Sequence, residues 1–378
     1  MARRWNILAW SILSAVFLGM SVYLILNPTR TGVVPNYRMG ATNWWAEKGL
    51  YGLEAKDSQG THGFLYFPQF AVFFSLFNSI RPELLGEIVW RFFGFGLFGF
   101  ALRSLSTTRF PRPPLLFLVL LSVPASFASL NNGQTNLPLS ACLVLTAIAL
   151  CGQKWNLAAF WLGLALVLKP IALAPWLLAF AVFPAMRKPL LISMIPFVVM
   201  GLLHPDLHYA VERWSKCLHK IFIAYSPENL RVSDLFGALG KSGWVPPPVL
   251  EKATRALACL GALAWVWRIF RREGLAAGSW TLWVTSSLVL TVFNPRAETN
   301  SYVLISPLMA YSAVGYWRDS KEGRWMGWVL ALACIGLMCD GMGLWIYKAT
   351  DVWLKPLIVI VVSPLLFRTP EAWKSEAR

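Results

Sequence analysis

Apolar runs of about 14 to 22 residues recur along the chain from Ile7 to Phe367, with short polar segments between most of them. The pattern predicts an all-α polytopic membrane protein in which residues 1–378 form a single integral-membrane domain. We expect a bundle of about 12 transmembrane helices. The predicted crossings are 7–26, 84–103, 114–130, 136–151, 155–168, 170–184, 189–203, 250–270, 279–293, 301–316, 325–345 and 355–367.

Two polar stretches, 27–65 and 204–248, are much longer than the other connections, and both contain an amphipathic pattern. The first predicts a short helix over 36–48 that lies on the membrane surface. Its stripe consists of Tyr37, Ala41, Trp44, Trp45 and Lys48. The second predicts a helix whose apolar stripe lies opposite Glu212, Arg213, Lys216 and Lys220. That stripe consists of Leu207, Val211, Trp214, Leu218, Ile221 and Tyr225.

The basic residues predict the orientation. If Arg3 and Arg4 are cytoplasmic, both termini and most short basic segments fall inside, as the positive-inside rule requires. In this topology the short run 66–80 is a half-membrane or surface segment. If 66–80 crossed the membrane instead, the basic residues would follow the positive-inside rule less well. We therefore expect a multi-pass protein of the plasma (inner) membrane, with 27–65 and 204–248 on the non-cytoplasmic face.

Composition excludes other classes of protein. The chain is 57% hydrophobic and 14% charged, outside the usual range for soluble domains. The net charge of +16 is explained by basic inner loops, so nucleic acid is not expected as a partner. The six cysteines form no CxxC pair, and no acidic cluster suits Mg²⁺ or Mn²⁺. No metal and no cofactor are indicated.

Polar residues at helix ends are the candidates for a site, because polar groups are costly in lipid. In the segment 131–136, turn chemistry explains Asn131 and Gly133 but does not require Gln134 and Asn136. Their amides suit phosphate or sugar hydroxyls. Lys169 precedes Pro170 between two apolar runs, where it is either a snorkelling lysine or a phosphate-binding cation at a broken helix.

The segment 293–300 joins two apolar runs through a short turn that contains Arg296, Glu298 and Asn300. Arg296 and Glu298 form either a surface ion pair or part of a site in which the guanidinium binds phosphate. A carboxylate in such a site can act as a general base. In the first polar stretch the candidates are Glu47, Glu54 and Asp57. His62 is either a phosphate partner or an ordinary loop histidine.

Several short motifs occur in a recognisable order. The first polar stretch contains Tyr37, Ala41, Trp44-Trp45 and Gly49-Leu50-Tyr51, followed by 65–68 (Leu-Tyr-Phe-Pro). Further along come 133–136 (Gly-Gln-Thr-Asn), 163–165 (Gly-Leu-Ala), Lys169-Pro170 and Pro175. In this order and spacing the chain resembles the polytopic glycosyltransferases of family 87, which include polyprenol-phosphate-mannose-dependent α-mannosyltransferases.

This resemblance implies a fold of the GT-C type and an inverting reaction without a nucleotide sugar. A polyprenyl-phosphate sugar donor would enter from the bilayer and meet a lipid or glycan acceptor on the outer face. The expected substrate-binding residues are Tyr37, His62, Gln134, Asn136, Lys169, Arg296 and Asn300. Family members commonly have an aspartate shortly before the equivalent of Tyr37, whereas residues 32–36 here contain no acid. If the chain is active, the resemblance therefore implies a base at another position, and the candidates are Glu298, Asp57 and Glu54.

The sequence therefore favours a membrane hexosyltransferase, with mannose as the expected sugar. Two alternatives remain open at this stage. One is a polytopic lipid or solute transporter, although neither an internal repeat nor a charged midplane pair is visible. The other is a catalytically inactive family member that acts as a scaffold in envelope glycan assembly.

Overall fold

The computed structural model describes residues 2–51, 63–107, 113–224, 232–319, 323–370 and 373. Within these ranges the chain forms α-helices and short 3-10 turns and no β-strand, which confirms the all-α prediction. The helices are α1 (Ala2–Leu26), α2 (Val34–Trp45), α3 (Pro68–Asn78), α4 (Glu83–Thr107), α5 (Leu115–Ser122), α6 (Phe127–Asn132), α7 (Asn136–Cys151), α8 (Trp155–Leu168), α9 (Leu173–Val182), α10 (Arg187–Met200), α11 (Leu207–Ala224), α12 (Leu235–Lys241), α13 (Pro248–Thr291), α14 (Ser306–Asp319), α15 (Arg324–Gly336), α16 (Leu344–Thr350) and α17 (Leu354–Leu366).

Several helices are suited to a membrane by length and composition. In the described part of the chain, three are long and apolar enough to cross one, namely Arg3–Leu26, Glu83–Thr107 and Pro248–Val292. The number rises to six if each of three bent helix pairs is one span. The predicted count of 12 is not confirmed. For example, α8 has 14 residues and spans about 21 Å, less than the hydrocarbon core of about 30 Å.

Some predicted crossings have different ends in the structure. The crossing predicted over 301–316 is a 3-10 turn over Thr299–Leu304 followed by α14, because Pro307 fits only the first turn of a helix. The crossing predicted over 325–345 ends at Gly336. Those predicted over 250–270 and 279–293 lie on the two parts of α13, which break at Gly274 with φ 85°.

Helix α7 lies at the centre of the packed structure. Nearly all of its residues are buried, and it packs against α4, α8 and α13. A helix that is apolar on every side is covered by protein on every side. The polar residues at its N-terminal end are therefore held deep in the molecule.

The two amphipathic helices use their faces in opposite ways. In α2, the predicted stripe residues Tyr37, Ala41 and Trp44 are buried, whereas Trp45 is exposed. In α11, several apolar residues are exposed and two basic ones are covered. Leu207, Val211, Leu218 and Phe222 are exposed, while Arg213 and Lys220 are buried. Part of the polar face of α11 therefore points into the protein, whereas Glu212 and Lys216 stay partly exposed.

Candidate active site

A cavity of about 640 Å³ opens beside the turn that precedes α7. Its polar lining includes Tyr37, Tyr66, Gln134, Lys169, Arg296 and Glu298, which we call the polar wall. Its apolar lining includes Ile171, Ala174, Ala256, Cys259, Val289 and Leu290, which we call the apolar wall, and Lys252 and Arg255 line the cavity beside Ala256. The cavity thus combines charged and apolar surfaces in one space, as a ligand with a polar head and an apolar tail requires.

The turn before α7 is fixed by its backbone and by α4. Gly133 adopts the left-handed conformation with φ 63°, and a Cβ there would lie 2.4 Å from the Val34 side chain. Trp90 donates to the Gly133 carbonyl at 2.7 Å. Arg91 donates to the carbonyls of Leu130 and Asn131 at 3.1 and 3.0 Å. These contacts hold the segment from which Gln134 enters the cavity.

A network of amides joins this turn to the segment 298–300. Asn136 Nδ2 donates to Gln134 Oε1 at 2.7 Å and to Asn300 Oδ1 at 2.9 Å. Gln134 Nε2 and Asn300 Nδ2 both donate to Glu298 Oε2, at 2.8 and 3.0 Å. Asn136 and Asn300 are buried and lie behind the polar wall. Both were predicted as substrate-binding residues, but their position here is that of connectors between residues that line the cavity.

Lys169 stands where α8 ends and the chain becomes extended before Pro170. Proline disfavours helical backbone in the residue before it, so the helix stops there. Lys169 Nζ donates to Asn136 Oδ1 at 2.7 Å. Burial lowers the pKa of Lys169 to about 8, an effect that Glu298 opposes and Arg296 reinforces. At neutral pH the charged ammonium form of Lys169 therefore predominates, and it lines the cavity.

Arg296 is a cation next to Lys169, and Lys220 in turn lies near Arg296. Arg296 is half-buried in the polar wall, and burial lowers its pKa while the negative charge of Glu298 opposes that effect. Lys220, on α11, has only 1% of its surface exposed. Burial lowers the pKa of Lys220, and the positive charge of Arg296 lowers it further. Mutual repulsion of these cations favours an anion between them.

Glu298 is the acid on the polar wall among the described residues, and its side chain is exposed to the cavity. Its carboxylate accepts from the Ser301 backbone N–H, while Ser301 Oγ accepts from the Glu298 N–H at 3.1 Å. This reciprocal pair caps the 3-10 turn 299–304. With the bonds from Gln134 and Asn300, the carboxylate is fixed from several directions.

Two tyrosines complete the polar wall. The hydroxyls of Tyr37 and Tyr66 are 2.8 Å apart, and their rings meet edge to face with centroids 5.0 Å apart. Burial raises the pKa of Tyr66 to about 12 and raises that of Tyr37 further. Both are therefore neutral phenols that donate hydrogen bonds.

Sequence reasoning missed Tyr66 and Lys220. Tyr66 belongs to the motif 65–68 and stands two residues before Pro68, which begins α3, and this position is a usable signal. Lys220 belongs to the polar side of α11, and the sequence does not show that Lys220 is covered by protein. Of the predicted site residues, Glu54, Asp57 and His62 lie outside the described residues. Among the described residues, no three His, Cys, Asp or Glu side chains are grouped so that they could hold a metal ion.

Comparison with known proteins identifies the family. The chain matches the model of glycosyltransferase family 87 over residues 64–307, which is more than half of its 378 residues. No curated protein and no solved structure matches it significantly. The matched region includes Tyr66, Gln134, Lys169, Arg296 and Glu298. Together with the apolar helices, the match shows that this chain is a membrane glycosyltransferase and belongs to family 87.

Proposed function

We propose that this glycosyltransferase transfers a hexose, with mannose as the first candidate, from a polyprenyl-phosphate donor to a lipid or glycan acceptor. The observation that supports this most strongly is the cavity whose lining combines Lys169, Arg296 and Glu298 with the residues of the apolar wall. The cations suit a phosphate, the carboxylate suits an acceptor hydroxyl, and the apolar wall suits a polyprenyl chain.

The donor phosphate binds between Lys169 and Arg296 in this proposal. Lys169 turns from Asn136 toward the phosphate, and Arg296 offers a planar group that pairs with two phosphate oxygens. The phenols of Tyr37 and Tyr66 donate to the phosphate or to the sugar. The polyprenyl chain extends along the apolar wall formed by α9 and α13.

Glu298 acts as the general base. Its carboxylate removes the proton of the acceptor hydroxyl as the acceptor oxygen attacks the anomeric carbon. The bond between that carbon and the phosphate oxygen breaks, and its electron pair stays on the polyprenyl phosphate. Lys169 and Arg296 stabilise the charge that develops there. A single displacement of this kind inverts the anomeric configuration. Glu54 and Asp57 remain alternative bases from the sequence.

We place the site on the non-cytoplasmic face of the plasma membrane because the short basic segments favour that orientation. A fold of the GT-C type accords with lateral entry of the lipid donor. Impermeant labelling of single cysteines introduced at exposed Lys48 and Arg271 tests the orientation in intact cells. Labelling at position 48 and protection at 271 are expected, and the reverse pattern overturns the assignment.

The activity test is a transfer assay with the purified full chain in lipid nanodiscs. Polyprenyl-phosphate mannose, glucose and galactose are supplied with extracted membrane lipids and glycans as acceptors. A glycosylated product from at least one donor is expected. Absence of product from all donors, in membranes where a known transferase works, would overturn the proposal. Movement of the donor across sealed vesicles without product favours a transporter instead.

Donor binding has a separate test because Cys259 lines the cavity and is the exposed cysteine among the six. Alkylation of Cys259 by a maleimide should slow several-fold when polyprenyl phosphate is present. Polyprenol of the same chain length, which lacks the phosphate, should protect much less. Equal protection by both compounds would contradict a phosphate site at Lys169 and Arg296.

A further inference from the structure

A buried lysine outside the family-matched region contacts the segment that contains Glu298. Lys355 lies in the first turn of α17 and has no exposed surface. Its Nζ donates to the backbone carbonyl of Thr299 at 2.9 Å. Thr299 stands between Glu298, the proposed base, and Asn300, which holds the Glu298 carboxylate.

The position of Lys355 is unfavourable for α17 itself. A cation in the first turn of a helix opposes the helix dipole. Burying an ammonium also costs the loss of its hydration, which has to be offset by close partners. One partner is Asp340, whose carboxylate lies 2.8 Å from Nζ and is 7% exposed. The other is the carbonyl of Thr299, the residue that follows the cavity-lining Glu298.

Neighbouring backbone contacts show that the segment 297–300 is held from several elements. Ser233 N–H donates to the Ala297 carbonyl at 2.6 Å. Ser129 Oγ donates to the Asn300 carbonyl at 2.8 Å. Lys355 supplies a charged donor between these two points. The three contacts fix the backbone on either side of the Glu298 side chain.

We infer that Lys355 is a positioning residue for the transfer reaction. Through its bond to Thr299 it fixes the positions of Glu298 and Asn300. The inference rests on the proposed role of Glu298 as base. It makes the segment after residue 307 part of the active-site structure, although that segment lies outside the family match.

The decisive variant replaces both charges of the buried pair. Lys355→Met alone leaves Asp340 as an uncompensated buried charge, so the variant is expected to unfold more readily. The double variant Lys355→Met with Asp340→Leu replaces the pair by apolar side chains of similar size, which commonly preserves stability. It still lacks the donor to Thr299. Lys348→Met, at an exposed lysine on α16, is the matched control.

For the double variant we expect a melting temperature close to that of the wild type. We expect kcat to fall on the order of 10 to 100-fold, since small misplacement of a reacting group has effects of this size. The KM for the donor should stay within about threefold because the phosphate site is intact. Wild-type kcat in the stable double variant would overturn the inference, since the pair would then serve stability alone.

Two further measurements separate this inference from the proposed function. Adding the double change to Glu298→Gln should lower kcat no further, and an additive loss would contradict action through Glu298. Amide hydrogen exchange of the peptide covering 295–302 needs no activity. Faster exchange there, with unchanged exchange in α14, supports the positioning role even if no sugar donor is accepted. Unchanged exchange over 295–302 would contradict it.

Discussion

The two walls of the cavity are built in different ways. On the polar wall, Gln134 is bonded to Glu298, and Lys169 is bonded to Asn136, so directed bonds fix the groups that would react. The apolar wall consists of side chains such as Ile171, Ala256 and Leu290, which provide shape and hydrophobic surface. Changes to the polar wall should therefore affect the rate of the chemical step, and changes to the apolar wall should affect lipid binding.

The largest effect is expected for Glu298→Gln. The amide keeps the size of the side chain but does not remove a proton, so kcat should fall about 10² to 10⁴-fold. The KM for the donor should change little. Steady-state kinetics with Glu273→Gln, an exposed acid on α13, provide the control. Near-normal kcat in Glu298→Gln would assign the base to another acid, with Glu54 and Asp57 next in line.

Loss of the cation at Lys169 should have the next largest effect. Lys169→Met removes the charge that stabilises the leaving phosphate, so kcat/KM should fall roughly 100-fold. Protection of Cys259 by polyprenyl phosphate should also weaken. Lys154→Met, at an exposed lysine before α8, should leave both measurements unchanged. Full protection of Cys259 in Lys169→Met would place the phosphate elsewhere.

The pH dependence of kcat/KM should report the protonation of Lys169. Its pKa is about 8, so the ammonium form predominates below pH 8 and is lost above it. We expect kcat/KM to fall about tenfold for each pH unit above 8. In Lys169→Arg the guanidinium stays charged, so the decline should begin at higher pH. An unchanged decline in this variant would assign it to a different group.

The smallest effect is expected on the apolar wall. Ala256→Trp narrows the path proposed for the lipid, so the KM for a long polyprenyl donor should rise about fivefold at unchanged kcat. A donor with a short prenyl chain should be affected less. Ala264→Trp, exposed farther along α13, is the control. An equal loss for long and short donors would contradict binding of the chain along this wall.

The sequence predicted the helical architecture, and the family match confirmed the resemblance to family 87. The sequence predicts one site from three residues that are far apart in the chain, Gln134, Lys169 and Arg296. All three line one cavity, and their roles stay predictions. Each of them lies where one apolar run ends and the next begins, and this position can be recognised from the neighbouring sequence alone.

Burial within the site was not predictable in the same way. The sequence did not distinguish Gln134, which lines the cavity, from Asn136, which lies behind it, because that depends on packing around α7. The faces of α11 pose the same difficulty. An apolar stripe contacts either protein or lipid in a membrane protein, so the pattern alone did not show that Lys220 is covered.

The bonds from Gln134 to Glu298 and from Asn136 to Asn300 each join residues 164 positions apart. During synthesis both amides emerge well before their partners. Asn136 already has Gln134 and Lys169 as partners at that stage, whereas Gln134 Nε2 has no Glu298 to bond. A chain terminated before residue 298 would therefore lack the acceptor for Gln134, so the segment after α13 completes the turn before α7 as well as its own structure.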